Sequence, residues 1–180
     1  MERDILKVLI SEEELKGKVK ELGRKISEDY KDKKLLIVSV LKGSIVFMAD
    51  LMRAIDIDYE IDFLSVSSYG SFTTSSGDVK ITKDLDKNLD GWDLLLVDDI
   101  LDSGITLGFV KNILLKRNPS SIKICTLLDK PQRHQSKETK ADYIGFVVPD
   151  NFVVGYGLDY DQKYRNLPYV GILKPEIYTK

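Results

Sequence analysis

Three aspartates lie close together where an apolar run ends, in the segment LLLVDDILDSGIT from Leu94 to Thr106. Asp98 and Asp99 follow the apolar run directly, and Asp102 begins the turn Asp-Ser-Gly-Ile-Thr. One aspartate or serine is enough to cap a helix, so three carboxylates exceed that need. Because like charges repel, the cluster indicates something bound between its members: a polyol, a Mg²⁺ ion or a proton to be removed.

The turn that follows Asp102 has the chemistry of a phosphate site. It opens a predicted helix, whose N-terminal N–H groups and partial positive charge suit an anion. Ser103 and Thr106 add hydroxyl donors, and Gly104 allows the backbone to approach a ligand closely. A phosphorylated sugar would satisfy both halves of the segment, with its phosphate in the turn and its hydroxyls on the carboxylates.

Two further segments occupy the same kind of position at the end of an apolar run. Leu41-Lys42-Gly43-Ser44 follows KLLIVSVL and opens a helix, which indicates a second anion site that contains a lysine. Lys130 follows SIKICTLLD, and it is either the donor to a ligand carbonyl or an exposed turn lysine. Since ligands of α/β sheets bind beyond the carboxyl ends of the strands, we expect these segments to lie at one edge.

The spacing of apolar residues predicts the elements that position these groups. Ser11 and Glu14 fit a capping box before an amphipathic helix that ends near Tyr30. Strands are predicted at 34–41, 59–66, 79–85, 93–99 and 121–129, helices at 44–55 and 106–117, and shorter strands at 141–149, 152–157 and 169–173. The alternation of strands with helices predicts a doubly wound α/β sheet in one domain, residues 1–180.

The segment SSYGSFTTSSGD, residues 67–78, interrupts this pattern with serine, threonine and glycine. It is either a long hairpin connection or a mobile lid, because long loops in compact domains are often functional.

Composition and charge exclude several classes of protein. The chain has 180 residues with 27 basic and 29 acidic side chains, a net charge of -2, which lacks the basic field of a nucleic-acid binder. The charged N-terminus shows no secretory signal and no apolar run reaches the length of a membrane span, so we expect a cytoplasmic protein. The single cysteine, Cys125, lies in an apolar run and is predicted to be a buried thiol.

Common nucleotide and metal motifs are missing from the sequence. There is no P-loop, and GYGLDY at 155–160 departs from the dinucleotide fingerprint at its last position. The only histidine, His134, lies in the polar run PQRHQSKETK and is predicted to be a solvated loop residue.

The segment VDDILDSGIT resembles the phosphoribosyl-pyrophosphate (PRPP) binding motif of type I phosphoribosyltransferases. LLIVSVLKGS, SSYG, LLDKP, FVVGYGLDY and YRNLPYVGIL extend the resemblance, from about Leu35 to Leu173, to bacterial hypoxanthine-guanine phosphoribosyltransferases. The resemblance implies a mainly parallel twisted sheet flanked by helices, with a small hood formed by the terminal segments. It also implies a Mg²⁺-dependent reaction in which N9 of hypoxanthine or guanine displaces pyrophosphate from PRPP to give IMP or GMP. A homodimer or homotetramer, without nucleic-acid or membrane partners, is implied as well.

The same resemblance assigns the residues on the PRPP side. The 5′-phosphate and ribose are assigned to Asp98, Asp99, Asp102, Ser103, Gly104, Ile105 and Thr106. Pyrophosphate is assigned to Leu41, Lys42, Gly43, Ser68, Tyr69 and Arg165, with a cis peptide between Leu41 and Lys42. Ser68 and Tyr69 would belong to a loop that closes over the reaction, which favours the lid.

The resemblance also assigns the purine side and the metal. Asp102 is the implied general base near purine N7, Lys130 donates to the purine O6, Phe152 stacks on the base and the Val153 backbone reads its edge. The implied metal residues are Asp98, Asp99 and Asp159; Asp159 is implied to face a second Mg²⁺ through water and is also assigned to the purine side. The family most often has glutamate where this chain has Asp98, which is one methylene shorter, so ribose contact there is expected to be looser or mediated by water.

Two other functions use similar residues. A PRPP-sensing regulatory protein of the same fold would bind without catalysis, but it would have no need for Asp102, Lys130 and Phe152. A phosphoacceptor receiver domain also has acidic residues at strand ends, but its acidic pair lies at the first strand and no anion turn follows it. The sequence therefore favours the enzyme over both.

Overall fold

The computed structural model describes residues 1–68, 79–136 and 138–179. Its helices are α1 (Glu12–Asp29), α2 (Ile45–Ala54), α3 (Ile105–Leu115) and α4 (Pro175–Tyr178). Its strands are β1 (Ile5–Ile10), β2 (Leu35–Leu41), β3 (Tyr59–Ser68), β4 (Val79–Lys83), β5 (Asp93–Leu101), β6 (Ser121–Asp129), β7 (Tyr143–Val147), β8 (Val153–Val154) and β9 (Val170–Leu173). Short 3-10 turns occur at Glu2–Asp4 and Pro131–Arg133.

The main sheet has six strands in the order β4-β3-β2-β5-β6-β7. All neighbours are parallel except β4, which runs antiparallel to β3. The chain moves from β2 to β3 on one side and then returns to place β5 on the other side of β2. The strand order therefore reverses between β2 and β5, and this is where doubly wound sheets bind ligands. The predicted α/β fold is confirmed.

The strands are apolar on both faces because helices cover both faces. In β2, Leu35 and Ile37 pack into the core beneath α1 and α2, whereas Leu36, Val38 and Val40 pack into the core beneath α3. A strand of this kind has no polar face, which is why KLLIVSVL reads as a continuous apolar run. The single cysteine, Cys125, is fully buried as predicted, and burial raises the pKa of its thiol.

A second sheet of three strands, in the order β1-β9-β8, is antiparallel throughout. We call this sheet, with the terminal segments that form it, the hood. The sequence prediction lacks its edge strand β1, in which Leu6 and Val8 are 60% and 46% exposed and only Ile10 is buried, so the apolar residues of ILKVLI do not alternate between a buried and an exposed face. Among the described residues, no helix combines the length and the apolar character needed to cross a membrane.

Strand β3 differs from the simple alternation in its sequence. Its buried positions are Asp62 and Leu64, while Ile61 is exposed. Asp62 is satisfied by the backbone N–H groups of Phe63 and Asp86, which donate to it at 2.7 and 2.9 Å. Backbone donors thus allow a carboxylate to take an inward position that the apolar pattern assigned to the other face.

The predicted capping box forms at the start of α1. Glu14 N–H donates to Ser11 Oγ at 3.3 Å, and Ser11 N–H donates to Glu14 Oε2 at 2.8 Å. We expect Ser11→Ala to lower the free energy of unfolding by about 1 kcal/mol, because the Glu14 N–H loses its acceptor and the Glu14 carboxylate loses the Ser11 hydroxyl. Urea denaturation measures this change. Ser120→Ala, at an exposed loop serine, is the control and should shift the midpoint little; equal shifts would contradict the prediction.

Candidate active site

The carboxyl ends of β2 and β5 are neighbours, because the two strands pair in parallel up to Ser39 and Val97. Their extensions line a cavity of about 230 Å³. It contains residues that the sequence placed in separate motifs, namely Leu41, Lys42, Gly43, Asp98, Asp99, Asp102, Ser103, Gly104 and Thr106. The structure therefore brings the two predicted anion segments and the three aspartates together.

Asp98 and Asp99 form a desolvated pair of carboxylates. Each is held by the next backbone amide: Asp99 N–H donates to Asp98 Oδ1 at 3.0 Å, and Ile100 N–H donates to Asp99 Oδ1 at 2.9 Å. Burial, followed by repulsion from Asp99, raises the pKa of Asp98. Burial also raises the pKa of Asp99, against which its hydrogen bonds and the positive charge of Arg165 act. A proton or a cation close to such a pair stabilises it.

The turn from Asp102 to Thr106 leads directly into α3. Gly104 has a φ of 78°, in the left-handed region that glycine adopts with little strain. Ser103 Oγ accepts the Ile105 N–H at 3.3 Å, and the Ser103 carbonyl accepts the Gln135 N–H at 2.9 Å. The three aspartates make their hydrogen bonds elsewhere, so capping of α3 does not account for them.

The segment after β2 lies against the acidic pair. The peptide between Leu41 and Lys42 is cis, as the resemblance implied. Gly43 is so close to Asp99 that an added Cβ would overlap the Asp99 carboxylate. Lys42 is exposed at the rim. A residue with a side chain at position 43 would thus displace one of the carboxylates.

A second cavity of about 460 Å³ adjoins the first. Ile100 and Asp102 line both cavities. The remaining walls come from the ends of β6 and β7 and from the hood, and consist of Lys130, Arg133, Asp150, Asn151, Phe152, Val153, Leu158, Asp159 and Tyr178. We call this the base cavity. Its position predicts that a ligand filling both cavities passes beside Asp102.

Lys130 is a buried residue of the base cavity, 6% exposed, so the alternative of an exposed turn lysine is wrong. Its Nζ donates to the Asn151 carbonyl at 2.7 Å and lies 3.9 Å from Asp150 Oδ1. Burial lowers the pKa of Lys130, whereas the charges of Asp102 and Asp150 act in the opposite direction. An ammonium group has three protons, so it can donate to a ligand carbonyl as well as to Asn151.

Asp102 is held by an arginine that the sequence analysis did not select. Arg133 Nε donates to Asp102 Oδ1 at 2.5 Å, and Arg133 Nη1 lies 3.6 Å from Asp150 Oδ1. Asp102 raises the pKa of Arg133. The signal available in the sequence was the position of Arg133, three residues after Lys130 at the end of β6. The polar run PQRHQSKETK around Arg133 is typical of a solvated loop, which conceals this signal.

His134, in the same run, is not a freely solvated residue. Its Nε2 lies 2.7 Å from Oδ1 of Asp129, and Asp129 is buried at the end of β6. The prediction of a solvated loop residue is therefore wrong, since the side chain is 24% exposed and contacts a buried carboxylate.

Phe152 faces the base cavity with 36% of its surface exposed. Its ring stacks on Tyr178, with centroids 4.8 Å apart and an interplanar angle of 23°. Val153 follows in β8, whose antiparallel pairing with β9 fixes the backbone of this wall.

Asp159 and Arg165 are paired with each other. Arg165 Nη2 lies 2.8 Å from Asp159 Oδ1, and Arg165 Nη1 donates to the Gly157 carbonyl at 2.7 Å. Asp159 lines the base cavity, whereas Arg165 lines a separate cavity of about 250 Å³ beside α2. The metal and pyrophosphate roles of these two residues remain predictions.

The predicted lid lies mostly outside the described residues. Tyr69 and the rest of 69–78 belong to that part, and Ser68 is described only as the last residue of β3. The strands on either side of the segment, β3 and β4, pair antiparallel.

Comparisons with known proteins agree on one family. The Phosphoribosyl transferase domain family matches residues 10–161. A hypoxanthine-guanine phosphoribosyltransferase of Bacillus subtilis (strain 168) is 56% identical over 178 residues, which is 99% of this chain and 98% of that protein. The same enzyme of Streptococcus thermophilus (strain CNRZ 1066) is 51% identical, over 100% of this chain and 99% of that protein. The crystal structure of a hypoxanthine phosphoribosyltransferase from Staphylococcus aureus superposes with a TM-score of 0.96 at 47% identity, covering 100% of this chain and 97% of that chain.

Proposed function

The chain belongs to the phosphoribosyltransferase family, and we propose that it is a purine-salvage enzyme that transfers the 5-phosphoribosyl group of PRPP to N9 of hypoxanthine or guanine. The products are IMP or GMP and pyrophosphate. The observation that carries this proposal is the pair of adjoining cavities that share Asp102, one built for a sugar phosphate and the other containing a lysine and an aromatic ring.

On the PRPP side, each part of the substrate has a group of suitable chemistry. The 5′-phosphate lies in the turn from Ser103 to Thr106, at the N-terminus of α3. Asp98 and Asp99 accept hydrogen bonds from the ribose hydroxyls. Lys42, the Gly43 backbone and Arg165 bind pyrophosphate, together with Ser68 and Tyr69 from the lid.

A Mg²⁺ ion fits the donor set of the first cavity. Asp98 and Asp99 are adjacent carboxylates whose pKa values are raised by burial, so a cation near them relieves an electrostatic cost. Within the described ranges, no cluster of three or more His, Cys, Asp or Glu side chains could hold a metal alone. In proteins, Mg²⁺ is commonly held by one or two carboxylates together with substrate phosphates. When bound, the ion would supply positive charge to the leaving pyrophosphate. Asp159, which lines the base cavity, is the residue proposed to face a second Mg²⁺.

In the reaction, purine N9 forms a bond to C1 of the ribose as the bond from C1 to pyrophosphate breaks. Positive charge grows on the ribose, where Asp98 and Asp99 stabilise it, and negative charge grows on pyrophosphate, where Lys42 and Arg165 stabilise it. The proton on purine N7 goes to Asp102. Because Arg133 holds Oδ1 of this carboxylate, Oδ2 is the oxygen assigned to accept the proton.

The base lies in the base cavity between Ile100 and Phe152. Lys130 donates to the purine O6, and the Val153 backbone reads the edge of the ring. The cavity itself argues against the PRPP sensor, since a protein that binds PRPP alone would have no use for these walls. The proposal also includes a cytoplasmic location, expected from the sequence, and a homodimer or homotetramer, implied by the family.

The test is a nucleotide-synthesis assay with PRPP and Mg²⁺, run in parallel with hypoxanthine, guanine, xanthine and adenine. We expect turnover with hypoxanthine and guanine and little with adenine. Binding of PRPP without release of pyrophosphate in the presence of any base would contradict the proposal and support the sensor.

We expect Gly43→Ala to lower kcat/KM for PRPP by about 100-fold, because displacing a positioned group by about 1 Å can cost that much. The new Cβ would overlap the Asp99 carboxylate and push it from the first cavity. Steady-state kinetics with varied PRPP measures the effect. Gly17→Ala is the matched control, since a Cβ there meets nothing within 4 Å. Normal PRPP kinetics in Gly43→Ala would show that the Asp99 position is unimportant.

A further inference from the structure

The ring of Phe152 needs support if it is to act as a stacking surface. It is 36% exposed at the wall of the base cavity, so contacts on the cavity side do not fix its orientation. Its backbone is fixed, because the Leu173 N–H donates to the Phe152 carbonyl at 2.9 Å. The orientation of the ring must therefore come from the side chains that touch it.

Two tyrosines touch the Phe152 ring. Tyr178 stacks on one face at 4.8 Å between centroids and 23° between planes, and Tyr160 meets it edge-on at 5.5 Å and 90°. Offset-stacked and edge-to-face pairs are the favoured geometries of aromatic rings. Together the two contacts restrict the orientation of the Phe152 ring.

Tyr178 is itself anchored by both ends of the chain. It lies in α4, and Lys174 at the start of α4 donates its N–H to the Asp4 carbonyl at 2.9 Å. Within α4, Thr179 Oγ1 donates to the Pro175 carbonyl at 2.7 Å. Tyr178 and its neighbour Ile177 pack against the apolar cluster of the hood. The C-terminal segment, which lies beyond the motifs of the family resemblance, thus reaches the wall of the base cavity.

We infer that Tyr178 is a positioning residue for the purine: it supports one face of Phe152, so that the opposite face meets the base. The inference rests on the proposed function and extends the base site to the last residues of the chain. It predicts a selective effect on purine affinity, since Phe152 and Tyr178 line the base cavity but not the first cavity.

The test is steady-state kinetics of Tyr178→Ala, with hypoxanthine and PRPP varied in turn. Loss of one aromatic pair should raise KM for hypoxanthine about 3- to 10-fold, with KM for PRPP and kcat nearly unchanged. Tyr178→Phe keeps the ring and should restore the wild-type KM. Tyr178→Leu keeps an apolar side chain but has no aromatic face, so it should raise KM for hypoxanthine as Tyr178→Ala does. A rise in this variant cannot be attributed to a loss of folding caused by the smaller alanine.

Ile177→Ala is the matched control, because Ile177 packs on the hood cluster from the same helix but does not line the base cavity. An equal rise in KM for hypoxanthine in this variant would overturn the inference, as would an unchanged KM in Tyr178→Ala. A fall in KM would overturn it too, since Tyr178 would then compete with the purine for Phe152. Absence of turnover by the wild type would overturn the proposed function itself, and this inference with it.

Discussion

We expect Asp102→Asn to lower kcat for nucleotide synthesis by about 10²–10⁴-fold, the contribution typical of a positioned general base. The asparagine side chain has the same shape and can still accept the hydrogen bond from Arg133 through its carbonyl oxygen. It cannot take the proton from purine N7. KM for PRPP should change little, because the turn from Ser103 to Thr106 is held by α3 and by the Gln135 N–H rather than by Asp102. Steady-state kinetics with saturating PRPP measures the loss.

Two controls separate loss of the base from loss of the ion pair. Arg133→Gln removes the cation that holds Asp102 but leaves the carboxylate, so we expect a smaller loss in kcat than in Asp102→Asn. Asp150→Asn changes the second carboxylate near Arg133, at 3.6 Å, and should have the smallest effect. A variant Asp102→Asn that keeps kcat within a factor of about 3 of the wild type would remove Asp102 from the role of base.

The main sheet could be predicted from sequence because its strands carry the information locally. A strand covered on both faces, such as β2, reads as a nearly continuous run of apolar residues. The start of α1 could also be predicted locally, since Ser11 and Glu14, three residues apart, hydrogen-bond to each other. The acidic segment and the Lys42 segment could be expected at one edge because parallel strands end together, but only the strand order placed β2 beside β5.

The walls of the base cavity could not be predicted from local patterns. Arg133, Asp150 and Tyr178 come from three loops or ends that the fold brings together, and none of them follows a helical or strand period. Residues of this kind are defined by their tertiary neighbours, and their local sequence looks like solvated surface. The hood strand β1 is apolar in sequence, but its partner β9 comes from the far end of the chain and leaves no local signal.

We expect the wild-type kcat/KM for hypoxanthine to exceed that for adenine by about 10³-fold or more, because Lys130 can only donate. With a 6-oxopurine, the buried ammonium gains a carbonyl acceptor in addition to Asn151. With adenine, it faces an amino group and remains without that partner in a desolvated site. Sites that hydrogen-bond a polar group reject analogues that lack it by up to about 10⁴–10⁵-fold. Parallel assays of the two bases measure the ratio.

The Lys130→Met variant shows whether this lysine is the source of the discrimination. Methionine fills a similar volume without a donor, so kcat/KM for hypoxanthine should fall by about 10²-fold while that for adenine changes less, and the ratio should shrink. Lys140→Met, at an exposed lysine of the same connection between β6 and β7, is the control and should leave both values near those of the wild type. If Lys130→Met kept the full preference for hypoxanthine, the selectivity would have to come from the backbone around Val153. Lys130 Nζ also donates to the Asn151 carbonyl, so Lys130→Met could loosen the cavity wall as well as remove a substrate contact. Melting temperatures of both variants distinguish these effects. Only a loosened wall lowers the melting temperature of Lys130→Met relative to that of Lys140→Met.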